Sequence, residues 1–340
     1  MKQFLKKSFC YVLLAFVLMV ILPYYIDPFN VFHVKSIRDN GVEPNKNYIK
    51  MSYILGNPNK FDSFLFGSSR VGVIHVDKIE DVKCYNMTYS AGIPYEHLQN
   101  IKSLLNKNVN IKRIYIGVDS LSYTENPKEH YKQPLRIPYE YLTKDRITLY
   151  REYFDFKIAK NELKNILKLK ENKKQQDIFY SFGWWADYDS RFGYNWEKAE
   201  PIIFKYNFLE ECLMSIKEIK DICDRNNIQL VVFTNPMFRT VYKASLDWDY
   251  FLFLKKLALI TDYYNFSGYN DVTLKKENYY DPSHYSAEVG DLMLECMTRG
   301  NKIPGLYEQG FGYHVTKDNI EHFMSILERQ KYTYELKASI

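Results

Sequence analysis

Four short apolar runs separated by helical patterns restrict this chain more than any other feature. Residues 61–66 (FDSFLF), 83–88 (KCYNMT), 113–118 (RIYIGV) and 229–234 (QLVVFT) are brief and rich in β-branched or aromatic side chains, the pattern of buried strands. Helical periodicity fills the intervals at 48–55, 95–107, 208–226 and 246–264, and again at 287–297 and 316–336. Strands alternating with helices at this spacing predict a parallel sheet with helices on both faces, an α/β fold. With 340 residues, 46% of them hydrophobic, such a sheet can be fully covered. The alternation breaks once, between about residues 121 and 201, where a basic helical stretch (153–174) precedes the loop FYSFGWWADYDSRFGYNW. This reads as an insertion forming a cap. Its Trp184, Trp185 and Trp196, with Tyr188 and Tyr194, would make a platform for sugar rings or a plug under the cap; the usual burial of tryptophan favours the plug.

The N-terminus carries a second constraint. Lys2, Lys6 and Lys7 precede an uncharged run from Ser8 through Ile26, closed by Asp27, and its nineteen residues suffice to cross a bilayer. The run ends in Pro23, Tyr24 and Tyr25 with no small-residue cleavage motif, which favours an uncleaved anchor over a signal peptide; a buried core helix is the bland alternative. The lysines place the N-terminus in the cytoplasm and everything after about residue 27 outside, with Tyr24 and Tyr25 at the interface. The expected organisation is an anchor (1–27), a linker to about residue 45 with a lead-in helix (28–60), the α/β domain with its insertion (61–310), and a terminal helix (311–340).

Lysine plus arginine exceed aspartate plus glutamate by 46 − 41 = 5, and no basic stripe is interleaved with aromatics, so nucleic acid is not expected as a partner. Of five cysteines, Cys10 lies in the anchor and Cys84, Cys212, Cys223 and Cys296 are scattered, which gives no disulfide framework. Cys212 and Cys223 share one predicted helix, too far apart to bridge. No metal-ligand spacing appears, no cofactor is expected, and His33, His75, His97, His130, His314 and His322 read as surface or core residues.

Nucleophilic catalysis needs a serine, a base to take its proton and a group to orient that base. Gly67-Ser68-Ser69 stands where the first strand stops; the glycine permits a tight turn whose N–H groups could face a developing oxyanion. Asp281-Pro282-Ser283-His284 offers the other two groups, because a three-residue offset across a turn lets a carboxylate reach one imidazole nitrogen while the other faces the serine. Each piece alone has a structural reading, the first as turn material and the second as a helix N-cap. Their joint placement, after the first core strand and before the last helix of the domain, singles out Ser69, Asp281 and His284.

The order of FGSSR, YNMTYSAGIPYEHL, IYIGVDS and YYDPSHYSAEVG resembles the SGNH/GDSL hydrolase superfamily, from about residue 61 to 297 outside the insertion. Within it, the blocks look most like the membrane-anchored branch that includes the teichoic acid D-alanyl-transfer protein and the alginate O-acetylation proteins. The resemblance implies a three-layer, flavodoxin-like sheet, with Ser69 as nucleophile, His284 as general base and Asp281 as its orienter. It further implies that the backbone N–H groups of Ser69 and Gly92 are oxyanion donors. Two positions depart from the pattern. Ser68 stands where many members have aspartate, and Asp119 stands where an asparagine side chain would donate to the oxyanion. An ionised carboxylate accepts hydrogen bonds and repels an oxyanion. Asp119 either pairs with Arg70 at the pocket or simply ends its strand, and Asn235 is a substitute donor or a turn residue before Pro236. The implied activity is extracytoplasmic acyl-ester hydrolysis or O-acyl transfer on cell-envelope polysaccharide. An acylated glycan or small acyl ester would be substrate, and a membrane-bound O-acyltransferase the partner. Asp119 favours the alternative, a non-catalytic glycan-binding or scaffold subunit.

Overall fold

The computed structural model describes residues 1–34, 38–39, 42–154, 170–171, 180–183, 205–300 and 302–338. Six strands form the central sheet: β1 (Ser63–Phe66), β2 (Cys84–Asn86), β3 (Arg113–Val118), β4 (Gln229–Thr234), β5 (Tyr263–Asn265) and β6 (Tyr313–Val315). Their order is β2-β1-β3-β4-β5-β6, parallel throughout except for β6, which runs antiparallel to β5. Pairing is in continuous register along the centre, from Arg113 opposite Gln229 to Val118 opposite Thr234. A 2-1-3-4-5 order is that of a doubly wound sheet, and it puts the crevice at the carboxyl ends of β1 and β3, where the strand order reverses.

The principal helices are α1 (Lys2–Ile26), α2 (Lys46–Gly56), α3 (Pro94–Asn106), α4 (Arg146–Tyr153), α5 (Leu209–Arg225), α6 (Arg239–Leu246), α7 (Tyr250–Ala258), α8 (Ala287–Arg299) and α9 (Ile320–Ala338). Strand alternation sends successive side chains to opposite faces, and both faces are apolar. Phe64, Phe66, Ile114, Ile116 and Val232 join one core with Ile101 of α3, Ile216 of α5, Leu254 of α7 and Leu327 of α9. Leu65, Tyr115 and Phe233 face the other core, with Val71 and with Val289 and Met293 of α8. The result is three layers. α1 is long and apolar enough to cross a membrane, with a mean hydropathy of 2.4 over its best window and nearly all of its surface free of the domain.

One expectation is corrected. Residues 246–264 are not one helix. α6 stops at Leu246, Asp249 takes a left-handed backbone with φ of 60°, α7 follows, and Tyr263 already opens β5. The break lets Tyr242 and Tyr250 meet edge-on, 5.9 Å between ring centroids. The terminal helix expected within 311–340 is α9; Tyr313–Val315 before it adds a strand to the sheet, and Phe323 and Leu327 of α9 are fully buried. The segment after α1 packs on the domain: Phe29 and Val31 are buried, and Asn45 N–H bonds Phe29 O at 3.0 Å. Of the inserted region, residues 121–153 form short helices ending in α4. The basic stretch 153–174 is described only at its ends, where Lys170–Glu171 pairs with Arg38–Asp39. Trp184, Trp185, Trp196, Tyr188 and Tyr194 lie outside the described residues.

Candidate active site

β1 ends in Gly67, and the chain turns at once into a 3₁₀ turn, Ser69–Val73, whose N-cap Ser68 accepts the Arg70 N–H at 3.4 Å. A Cβ on Gly67 would lie 2.8 and 2.9 Å from the Val71 methyls and 3.3 Å from Gly117 O. Only a glycine lets the turn fold back so tightly on β3. Side chains at the end of β2 hold the turn from the other side. Thr88 Oγ1 donates to Ser68 O at 2.6 Å and Asn86 Nδ2 to Val71 O at 2.8 Å. The fully buried Lys50 of α2 donates to Asn86 O, Thr88 O and Gly183 O at 2.5 to 2.8 Å; burial, with the charge of Lys46, pushes its pKa well below the usual lysine range.

Ser69, at the head of this turn, meets His284. Its Oγ lies 2.8 Å from His284 Nε2, and His284 Nδ1 lies 2.9 Å from both carboxylate oxygens of Asp281. Asp281 and His284 sit on the two arms of a small hairpin, Tyr279–Asp281 with His284–Tyr285. The Asp281 Oδ1 also accepts the Ser283 and His284 N–H groups at 2.8 and 3.0 Å. Burial tends to raise the Asp281 pKa, but the bond and charge of His284 and the two backbone donors outweigh it and hold the carboxyl below its usual range. An ionised Asp281 requires Nδ1 to carry the proton, which leaves the Nε2 lone pair for the serine hydroxyl.

Asp119, at the end of β3, is 2.5 Å from Arg70 Nη1, with the two side chains 2% and 7% exposed. Arg70 Nε donates to Ser283 O at 3.1 Å, so one guanidinium ties β3 to the loop that carries His284. Asp119 further accepts Leu121 N–H and Asn235 Nδ2, each at 2.8 Å, while Asn235 Oδ1 takes the Tyr285 hydroxyl at 3.2 Å. Asn235 thereby gives one N–H of its amide to Asp119.

A further candidate donor is a backbone group: Ser69 N–H opens its turn and so has no intrahelical acceptor. Gly92, the other donor that the resemblance implies, packs against Gly67 O, where a Cβ would fall 2.8 Å away, but its N–H is given to Tyr89 O at 3.3 Å. The preceding Ala91 is left-handed, with φ of 54°. Behind this turn lies a buried polar network that motif reading missed. Glu96 accepts Tyr89 OH at 3.0 Å and Ile93 N–H at 3.4 Å, and its other oxygen lies 2.9 Å from His130 Nδ1. His97 Nδ1 lies 3.4 Å from the Tyr89 hydroxyl, and burial with the charge of His130 pushes the His97 pKa down to about 3, so it stays neutral. The Ile93-Pro94-Tyr95-Glu96 sequence was the available signal: proline at the first helical position with glutamate at the third marks a capped helix start.

Among the described residues no cluster of three or more His, Cys, Asp or Glu could hold a metal ion, and all five cysteines are unpaired. Set against known proteins, the chain has no match: no family model fits it, and neither a curated protein nor a solved structure is similar to it.

Proposed function

We propose that this chain is a membrane-anchored, SGNH-like serine enzyme that hydrolyses or transfers acyl esters of cell-envelope polysaccharide on the outer side of the membrane. The observation that carries the reading is the continuous Ser69–His284–Asp281 relay at the switch-point crevice. In the proposed reaction the Ser69 Oγ attacks the ester carbonyl carbon as its proton passes to His284 Nε2. The oxyanion of the tetrahedral intermediate is met by the Ser69 N–H at the head of the turn. Collapse expels the alcohol, which leaves with the proton from His284, and an acyl group remains on Ser69. Water or a glycan hydroxyl then gives a proton to His284 and takes the acyl group, and His284 returns that proton to the departing Ser69 Oγ. Hydrolysis and transfer differ only in that acceptor. The outward placement of the domain rests on Lys2, Lys6 and Lys7 at the amino end of α1, and an anchor in the same bilayer suits a membrane-bound O-acyltransferase as partner.

A second reading, a non-catalytic glycan-binding or scaffold subunit, draws on one observation: Asp119 occupies the position of a side-chain donor and engages the Asn235 amide. A fluorophosphonate probe separates the two. The enzyme reading expects covalent labelling that disappears in Ser69→Ala and His284→Ala. Wild-type protein that stays unlabelled and turns over no acyl ester belongs to the scaffold reading.

A further inference from the structure

The end of the anchor is built into the domain, and an aromatic seam continues from it across the surface. Asp27 follows α1 in a left-handed conformation with φ of 46°. Its buried carboxylate accepts the N–H groups of Val31, Phe32 and His33 at 2.7 to 3.0 Å. Phe29 packs edge-on against Tyr153 of α4, 5.5 Å between centroids, and Asn45 Nδ2 donates to Ile137 O at 3.0 Å and to the Tyr153 hydroxyl at 2.6 Å. The domain is thereby fixed to the helix that would cross the bilayer.

The depth of this junction follows from helix geometry. At 1.5 Å per residue, the uncharged stretch from Ser8 through Ile26 is about 28 Å long, close to the roughly 30 Å hydrocarbon core. Its carboxyl end, and whatever packs beside Tyr24, falls at the polar interface. The Tyr24 ring lies 5.5 Å from Phe32, and Phe32 stacks on Tyr150 and Phe154 at 5.6 and 5.4 Å. Tyr150 belongs to α4, where Ile147, Tyr150 and the helix's C-cap residue Phe154 recur at the three- and four-residue spacing of one helix face. Ile147 is 75% exposed and Tyr150 41%, whereas Thr148 and Tyr153 on the opposite side are buried. Arg151 is paired with Glu152 at 3.0 Å and bonds Tyr141 at 3.1 Å, so Ile147 and Tyr150 are the exposed apolar and aromatic groups of this face.

We propose that the Ile147–Tyr150–Phe154 face of α4 lies in the outer interfacial layer of the bilayer that α1 crosses, seating the domain on lipid in one orientation. The proposal rests on the anchor reading. Its occupant is lipid, because the seam is continuous with Tyr24 of the span and because aromatic rings with polar tips favour the headgroup level. The contact is apolar, so it forms on zwitterionic and anionic lipid alike.

The test uses the full chain in phosphatidylcholine nanodiscs without other proteins. An environment-sensitive dye is attached in a Cys10→Ser background through Ile147→Cys, through Tyr25→Cys as the anchor site, or through Met214→Cys, an exposed position on α5. Lipids carrying a nitroxide near the headgroup are then added. The dye at Ile147 and at Tyr25 should shift to the blue and lose roughly half its emission or more, with Met214 unaffected. Because Ile147 is exposed, its replacement removes no core contact. Quenching at Tyr25 with Ile147 behaving like Met214, or equal quenching at all three, overturns the proposal and leaves the anchor intact. No quenching at Tyr25 overturns the anchor reading and the proposal with it.

Discussion

Asp119→Asn removes the charge facing the Arg70 guanidinium at a point where the two groups are 2.5 Å apart and nearly inaccessible to water. Asparagine has one acceptor oxygen where Asp119 uses two, accepting Leu121 N–H and Arg70 with one and the Asn235 amide with the other. Whichever way the new amide turns, its NH₂ group confronts another donor. Breaking a buried pair from one side costs about 3–5 kcal/mol because the surviving charge stays uncompensated. Arg70→Ala should cost a similar amount, and it also removes the donor to Ser283 O. Replacing both partners by leucine-sized apolar residues should restore much of the stability, since no charge is then stranded. Urea denaturation of the full chain in detergent measures all three variants, and the rate of Ser69 labelling should fall in each because the His284 loop loses its tie to β3. An Asp119→Asn protein within about 1 kcal/mol of wild type, or one that labels faster, would refute this reasoning. Asp119 would then be an impaired oxyanion residue and not a structural anion.

Gly67→Ala forces its methyl against Val71 and should cost about 1–3 kcal/mol by overpacking, while abolishing labelling by shifting Ser69; full labelling would show that the turn tolerates a side chain. Glu96→Ala should lower kcat more than it raises KM by freeing the Tyr89–Ile93 turn. Ala91→Gly should partly rescue that variant, since glycine holds a left-handed backbone without strain; an unchanged kcat would remove Glu96 from the positioning of the site. Asp281, with its pKa depressed from an ordinary 3.8, contributes stability that is present above that value and lost as pH falls through the lowered folded pKa. Asp281→Asn should therefore flatten the acid limb of a Tm-versus-pH curve below about pH 4, and an unchanged limb would show the carboxylate to be unlinked to folding.

The α/β class and the first four strands were legible because buried strands read as short apolar runs, and β3 and β4 begin and end where the pattern placed them. β5 and β6 were not, since three residues such as Tyr263–Asn265 are too short to show a period and follow a helix of similar composition. The break at Asp249 was hidden for a related reason: a left-handed aspartate is permitted but carries no signature. Ser69, Asp281 and His284 could be singled out by residue type and order, and the structure brings them within hydrogen-bond reach. The pairing of Arg70 with Asp119 was one of two open readings, and it is present. Asn235, read as a substitute donor or a turn residue, gives one amide N–H to Asp119. Lys50, Asn86, Thr88 and Glu96 carry no local signature because what they do is brace the turns around Ser69 and Gly92, which depends on tertiary contacts and not on local spacing.

The central claim, that Ser69 is an activated nucleophile, is tested most directly by trapping its acyl-enzyme. An activated acetyl ester is mixed with the full chain, the reaction is quenched in acid, and the peptides are weighed. The account predicts one acetyl group on the peptide containing Ser69, lost in Ser69→Ala and strongly reduced in His284→Ala. No acetylated peptide, or acetyl on Ser68 independently of His284, would contradict it.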